Sequence, residues 1–213
     1  MTAPSFDDLD GVLSPDVLGA IGGAVDSRLG LLLLTPPGIA ATMIARRLPS
    51  LLEPLTAPRR DYVDTAYELL GLGARGTDVP PFRAPHHTCS AGAIAGTIAR
   101  PGEATLASFG VLYLDELPEF SARTIEVLAA WLRVRAKRAS RGALDCAPMV
   151  VASAMPCPCG WLGSQGRHSR RCCCKPEAIE RYLERVTRAA EQLQLEVVLD
   201  VPSITLADLR RAS

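Results

Sequence analysis

Short apolar runs alternate with helical patterns along most of the chain. Residues 29–34 and 110–114 are apolar on both faces, which is typical of strands in a sheet that is covered on both sides. Residues 148–153 and 195–201 predict two more strands. Because strands alternate with helices, the pattern predicts an α/β domain built around a mainly parallel sheet.

Apolar residues at helical spacing predict the elements between the strands. Helices are expected at 14–27, 43–48, 59–70, 124–132 and 176–193. Ser121 precedes the fourth of these helices and is a good capping residue. Residues 74–102 are rich in Gly, Pro and Ala, and we interpret them as an irregular insertion.

Length and composition narrow the function classes. The 213 residues fit one domain, which we place at 1–204 with a tail at 205–213. Lysine plus arginine equals aspartate plus glutamate, 23 each, so no global field favours nucleic acid or acidic membranes. The longest apolar run is too short to span a bilayer, and the acidic amino terminus does not resemble a secretory signal. We therefore expect a cytoplasmic protein that does not contact a membrane.

Four motifs occur together: PFRAPHHT at 81–88, RPGE at 100–103, GVLYLDELPEF at 110–120 and PCPCG at 156–160. In order and spacing they closely resemble the ComM/YifB branch of the magnesium-chelatase-like AAA+ family, and the resemblance runs from about Phe6 to Pro202. It implies a P-loop NTPase core with three αβα layers, ATP and Mg²⁺ as cofactors, and homo- or hetero-oligomeric rings. ComM-type members resemble DNA branch-migration motors. Full-length relatives also carry a Lon-protease-like domain and a helical lid, and we expect a core without either.

The family's phosphate-binding sequence GPPGTGKT corresponds to TPPGIAAT at 35–42. By resemblance the nucleotide-binding positions are Pro37, Gly38, Ala40, Ala41 and Thr42. Ala40 replaces a glycine, and Ala41 replaces the lysine that reaches the outer phosphates. A charge-assisted hydrogen bond is worth roughly 1.5 to 3 kcal/mol, so we expect ATP binding to be weakened about ten- to a hundredfold. Without its context the stretch would pass for an ordinary turn between a strand and a helix.

Asp115 and Glu116 follow a predicted buried strand, where α/β sheets place ligand sites. By resemblance, Asp115 positions Mg²⁺ through water, and Glu116 is the catalytic residue that orients or deprotonates the attacking water. The alternative is two acids solvated at a strand end. Met155 stands where the family has a γ-phosphate-sensing asparagine, and residues 190–195 lack the family's arginine finger. These losses predict a pseudo-ATPase.

Five of the seven cysteines crowd between Cys157 and Cys174. In a reducing compartment such clustering indicates metal before disulfides. The predicted zinc ligands in the loop at 156–175 are Cys157, Cys159, Cys172 and Cys174. Cys173 or His168 could replace a ligand, and free thiols are the alternative.

A local basic segment at 133–142 is predicted to form a hairpin. In the family the matching hairpin projects toward the ring channel, so DNA contact is a hypothesis for Arg133, Arg135, Lys137 and Arg138. Solvated charge is the ordinary alternative. For His86 and His87 we expect a structural role rather than catalysis.

Three interpretations remain open from the sequence. The chain is a weak ATPase, or a subunit completed by a normal neighbour. Alternatively it is a non-catalytic scaffold that binds a ComM-type ring or DNA. The third is a decaying gene fragment.

Overall fold

One parallel sheet organises the chain. The computed structural model describes residues 4–97, 99–163, 170–202 and 204, so the predicted tail at 205–213 lies outside the described residues. The strands are β1 Leu31–Leu34, β2 Phe82–Arg83, β3 Val111–Leu114, β4 Met149–Ala154 and β5 Val197–Asp200. They run in the order β2-β3-β4-β1-β5, and every pairing is parallel. The predicted mainly parallel sheet is confirmed.

Seven α-helices connect the strands in the described part of the chain. They are α1 Pro15–Asp26, α2 Ala40–Ala45, α3 Ala57–Glu68, α4 Ala91–Ala95, α5 Glu103–Leu106, α6 Ala122–Ala139 and α7 Pro176–Leu193. As predicted, Ser121 caps α6, because its side-chain oxygen accepts a hydrogen bond of 3.1 Å from the backbone N–H of Thr124. None of these helices combines the length and the apolar composition that crossing a bilayer requires.

The sheet lies between two helical layers. Alternate strand residues face opposite sides, so Leu31, Leu33 and Tyr113 join one core cluster with α1 and α2. Leu32 and Leu112 join a second cluster with α6 and α7. Strands β1, β3 and β4 are buried on both faces, which accounts for their largely apolar sequences, whereas the edge strands β2 and β5 are only partly buried. The three-layer αβα core implied by the resemblance is therefore confirmed.

Three sequence predictions are corrected. The basic segment at 133–142 is not a hairpin, because α6 continues to Ala139. Ala, Arg and Lys are strong helix formers, and the run meets no glycine or proline before Gly142. The insertion at 74–102 is not wholly irregular, since it supplies β2 and α4. The helix predicted at 43–48 begins earlier, at Ala40, and ends at Ala45.

Because the basic segment is largely helical, its basic side chains point in different directions and differ in exposure. Arg133, Lys137 and Arg138 are exposed. Arg135 is half-buried, donates a hydrogen bond of 3.5 Å to Cys146 Sγ and lies 4.8 Å from the ring centroid of Trp131. The exposed part of the basic segment is thus one short stretch of helix.

Candidate functional site

A cleft of about 420 Å³ opens at the carboxyl ends of β1, β3 and β4. Its described lining residues are Thr35, Pro36, Pro37, Gly38, Ala41, Thr42, His87, Asp115, Glu116, Pro118, Glu119, Ser153, Ala154, Met155 and Tyr182. Parallel sheets bind ligands at this edge. The structure therefore brings together Pro37, Gly38, Ala41, Thr42, Asp115 and Glu116, whose individual roles stay predictions. Ala40 does not line the cleft, because it is fully buried in the core.

The turn from β1 to α2 forms one wall of the cleft. The backbone N–H of Thr35 donates to the carbonyl of Ala154 at 3.0 Å, which ties the start of the turn to β4. Helix α2 begins at Ala40 with no side-chain cap from Ile39. Ala41 lines the cleft but is only 5% exposed, so its methyl group forms part of the wall and does not extend into the cleft. No charged side chain extends from this position toward a phosphate.

Asp115 is held by two hydroxyl groups. Tyr113 Oη donates to Asp115 Oδ1 at 2.8 Å, and Ser153 Oγ donates to the same oxygen at 2.6 Å. Ser153 Oγ also accepts from the backbone N–H of Glu116 at 3.0 Å. Glu116 has φ 55°, a left-handed conformation that is uncommon for a residue with a side chain. The buried Ser153 hydroxyl thus positions the Asp115 carboxylate and the Glu116 backbone.

Tyr113 links the acids to the phosphate-binding turn. Its hydroxyl also lies 3.5 Å from Thr42 Oγ1, at the outer limit of a hydrogen bond. The side chain is 1% exposed, and this burial raises the pKa of the Tyr113 phenol above its ordinary value. The hydroxyl therefore stays protonated at neutral pH and remains a donor.

The charge of the cleft opposes a polyphosphate. Among the described lining residues, Asp115, Glu116 and Glu119 are acidic, and lysine and arginine are absent. A triphosphate needs positive charge or backbone N–H groups to offset its own charge. The described side chains therefore supply no cationic partner for the phosphates of a magnesium-bound triphosphate, and we derive no hydrolytic step through one.

The far wall of the cleft joins β4 to α7. The backbone N–H of Met155 donates to Tyr182 Oη at 3.1 Å, and both residues line the cleft. The guanidinium of Arg185 lies 5.8 Å from the Tyr182 ring centroid, but Arg185 is not a lining residue. A thioether donates no hydrogen bond, so the Met155 side chain cannot sense a phosphate as asparagine would.

The cysteine loop begins where β4 ends. The sulfur atoms of the four predicted zinc ligands Cys157, Cys159, Cys172 and Cys174 all lie within 4.8 Å of one another. Cys157 Sγ is 3.4 Å from Cys159 Sγ and 3.7 Å from Cys172 Sγ, and Cys159 and Cys172 are also 3.7 Å apart. A tetrahedral zinc ion with bonds of about 2.3 Å separates its sulfur ligands by about 3.8 Å. The cluster therefore has the dimensions of a zinc site.

The cysteine thiols differ in their exposure and in their pKa. Cys173 is exposed and does not belong to the cluster. The backbone N–H of Trp161 stabilises the Cys159 thiolate and lowers the pKa of that thiol to about 6, against opposing desolvation. Cys146 is buried away from the loop, beside Arg135. His168, the proposed alternative ligand, lies outside the described residues.

Sequence reasoning missed several cleft residues, notably Ser153, Tyr182 and His87. Ser153 had a usable signal, because it is the polar residue in an otherwise apolar strand. The imidazole of His87 stacks on that of His86 with ring centroids 4.1 Å apart, and His87 alone of the two lines the cleft. The structural role expected for His86 stays a prediction.

Comparison with known proteins agrees with the motifs. Residues 19–208 match the family described as magnesium chelatase, subunit ChlI. An uncharacterized protein of Salmonella typhimurium, YifB, is 36% identical over 191 residues, which cover 82% of this chain and 36% of that protein. The competence protein ComM of Haemophilus influenzae is 36% identical over 165 residues, covering 74% of this chain and 31% of that protein.

The chain thus spans about a third of the length of these curated relatives. Among solved structures, NtrX from Brucella abortus in complex with ATP matches 99% of this chain and 40% of that chain. Its TM-score is 0.44 and its sequence identity is 14%.

Replacing Ser153 with alanine tests the hydroxyl network. Ser153→Ala leaves the backbone N–H of Glu116 without its acceptor and removes one donor from Asp115. We expect the free energy of unfolding, measured by urea denaturation, to fall by about 1–3 kcal/mol. Ser140→Ala is the matched control, because Ser140 is exposed at the end of α6 and its loss should change stability by less than about 0.5 kcal/mol. Equal effects of the two substitutions would contradict the role given to Ser153.

Proposed function

The chain belongs to the magnesium-chelatase-like family, in the branch that contains ComM and YifB, and from this premise we propose that it is an AAA+ core with negligible ATP hydrolysis. The observation that carries the proposal is Ala41, a small buried side chain facing a cleft whose described lining holds three carboxylates and neither lysine nor arginine. The P-loop lysine reaches the outer phosphates, and no described residue of the cleft lining takes over its charge.

Independent changes support the same conclusion. Ala41 affects phosphate binding, and Met155 removes the hydrogen-bond donor expected at the sensor position. The missing arginine finger would affect a neighbouring subunit's site, and such a finger supplies several orders of magnitude in rate. Asp115 and Glu116 are retained and ordered by Ser153, which is what an inherited scaffold without turnover would keep.

Phosphate release with ATP and Mg²⁺ tests the proposal directly. We expect turnover by the natural protein to equal that of the Glu116→Gln variant, because the outer phosphates have no cationic partner. In calorimetric titration, Ala41→Lys should bind ATP about ten- to a hundredfold more tightly than the natural protein, since it restores one charge-assisted contact. Ala41→Gln is the matched control, because it adds length without charge. Turnover by the natural protein that disappears in Glu116→Gln would contradict the proposal.

We also propose that the cysteine loop binds a structural zinc ion. Three sulfur–sulfur distances of 3.4 to 3.7 Å approach the edge length of a ZnS₄ tetrahedron, about 3.8 Å. Zinc binds cysteine as the thiolate, so metal binding would release the thiol protons and offset the repulsion among the four sulfur atoms. In the cytoplasm that we infer from the sequence, reduced thiols are available for the metal. Zinc would close the loop between β4 and α7.

Metal analysis of the purified protein tests the zinc site. We expect about one zinc ion per chain, because four thiolates complete its coordination. Cys174→Ser should lose the metal and lower the melting temperature. Cys173→Ser is the matched control and should retain zinc, since Cys173 is next to Cys174 in the sequence but is exposed and outside the cluster. A natural protein purified without zinc, or a Cys174→Ser variant that keeps it, would contradict the site.

The second candidate function is a non-catalytic scaffold that joins a ComM-type ring or binds DNA. The observation that favours it is the exposed basic face of α6, formed by Arg133, Lys137 and Arg138. Side chains four positions apart on a helix, such as Arg133 and Lys137, project in neighbouring directions, and exposed cations of this kind can contact a phosphate backbone. Such binding needs no ATP hydrolysis, so it is compatible with the loss of the P-loop lysine.

Salt-dependent DNA binding tests the scaffold. Replacing Arg133, Lys137 and Arg138 together with alanine should weaken duplex binding and reduce the slope of log affinity against log salt by about 0.9 for each lost phosphate contact. The control replaces Arg123, Arg181 and Arg188, which are also exposed and give the same change in net charge. Equal weakening in both variants, or no binding by the natural protein, would remove DNA as a partner of this face.

A further inference from the structure

We propose that the hydroxyl group of Tyr113 stands in the place of the magnesium ion in this cleft and excludes divalent cations from it. The inference deepens the proposed function and rests on its assignment of the cleft to the nucleotide-binding position. It identifies Tyr113 as a specificity-determining residue, one that sets which ligands the cleft accepts.

The first argument is position. In a working site the hydroxyl at position 42 binds Mg²⁺ and the carboxylate at position 115 positions it. Here Tyr113 Oη lies 2.8 Å from Asp115 Oδ1 and 3.5 Å from Thr42 Oγ1. An oxygen atom thus occupies the space that a cation with its coordinated water would need between these two groups.

The second argument is hydrogen-bond saturation. Asp115 Oδ1 accepts from Tyr113 and from Ser153, so the carboxylate oxygen that points into the network has two neutral donors. A cation reaching this oxygen would have to displace at least the tyrosine hydroxyl. Mg²⁺ demands near-ideal octahedral geometry and gives up its waters reluctantly, which makes such a displacement unfavourable.

The third argument is rigidity. The Tyr113 ring is 1% exposed and stacks on Phe82, with ring centroids 6.1 Å apart and an interplanar angle of 29°. It also packs in the same core cluster as α1 and α2. Because the ring has no free volume beside it, the hydroxyl cannot swing away from Asp115 to admit an ion.

All three arguments concern the Tyr113 hydroxyl, so one substitution that removes it can test them without changing the rest of the cleft. Tyr113→Phe removes the hydroxyl and keeps the ring, its stacking on Phe82 and its volume. It leaves Asp115 with one donor from Ser153 and opens a space next to Thr42. The variant should therefore gain an affinity for divalent cations that the natural protein lacks.

Titration with Mn²⁺ alone, followed by electron paramagnetic resonance, measures that affinity without nucleotide or activity. We expect Tyr113→Phe to bind Mn²⁺ at least about tenfold more tightly than the natural protein, and the gain to disappear in Tyr113→Phe/Asp115→Asn. Cysteine-loop binding is removed from the comparison by loading every sample with one equivalent of zinc and removing the excess before Mn²⁺ is added. Tyr62→Phe is the matched control, because Tyr62 packs in a separate core cluster with Phe109, and it should bind as the natural protein does.

Two outcomes would overturn the proposal. One is Mn²⁺ binding by the natural protein that disappears in Asp115→Asn, which can be observed even if Tyr113→Phe does not fold. The other is a folded Tyr113→Phe variant, judged by circular dichroism, that binds no more Mn²⁺ than the natural protein. Phosphate release by the natural protein would instead overturn the pseudo-ATPase proposal, so the two failures are distinguishable.

Discussion

The parallel register of β3 against β4 is the constraint on which the site depends. Tyr113 pairs with Val151 and Leu114 pairs with Ala152, so the next residues, Asp115 and Ser153, emerge side by side at the carboxyl edge. A slip of one residue would move every side chain to the opposite face and separate the carboxylate from the hydroxyl that orders it. Close packing opposes such a slip, because the side chains of β3 and β4 differ in size and each fits its own layer of the core. The packing of the core thereby sets the positions of Asp115 and Ser153 at the edge of the sheet.

Within that frame, the balance of charge decides what the cleft can hold. A P-loop normally sets a lysine against the phosphates, while the acids at the end of β3 act on the metal. Here the acids remain and the lysine position carries Ala41, so the cleft is acidic. The hydroxyl groups of Tyr113 and Ser153 both donate to Asp115 Oδ1 without any bound ion. A carboxylate oxygen with two donors gains less from a cation than a bare one would, so the alanine at position 41 and the Tyr113 phenol act in the same direction.

Much of this arrangement was predictable from the sequence, for identifiable reasons. The continuous apolar runs gave β1, β3 and β4, and Pro176 with helical spacing gave α7 with its observed bounds. Asp115 and Glu116 followed from their place after a strand. The course of α6 was predicted wrongly, because the basic run was interpreted as a hairpin although its Ala, Arg and Lys residues favour a helix. The roles of Ser153 and the Tyr113 hydroxyl depend on register between strands distant in sequence, which no local pattern reveals.

The cysteine loop packs directly against the wall of the cleft, so the predicted zinc site and the cleft are in contact. Gly160 has φ 80°, and a side-chain carbon there would lie 2.6 Å from Pro37 Cγ and 2.9 Å from Met155 Sδ. The loop backbone therefore rests directly on the phosphate-binding turn, and only glycine permits both the conformation and the approach. Cys157, fully buried, stands two residues after Met155, whose N–H is bonded to Tyr182 on α7. A metal that fixed the four sulfur atoms would hold the loop against Pro37 and keep the cleft wall in place whether or not nucleotide binds. Under the proposed function, a zinc ion in the loop would thus keep the shape of the cleft without ATP hydrolysis.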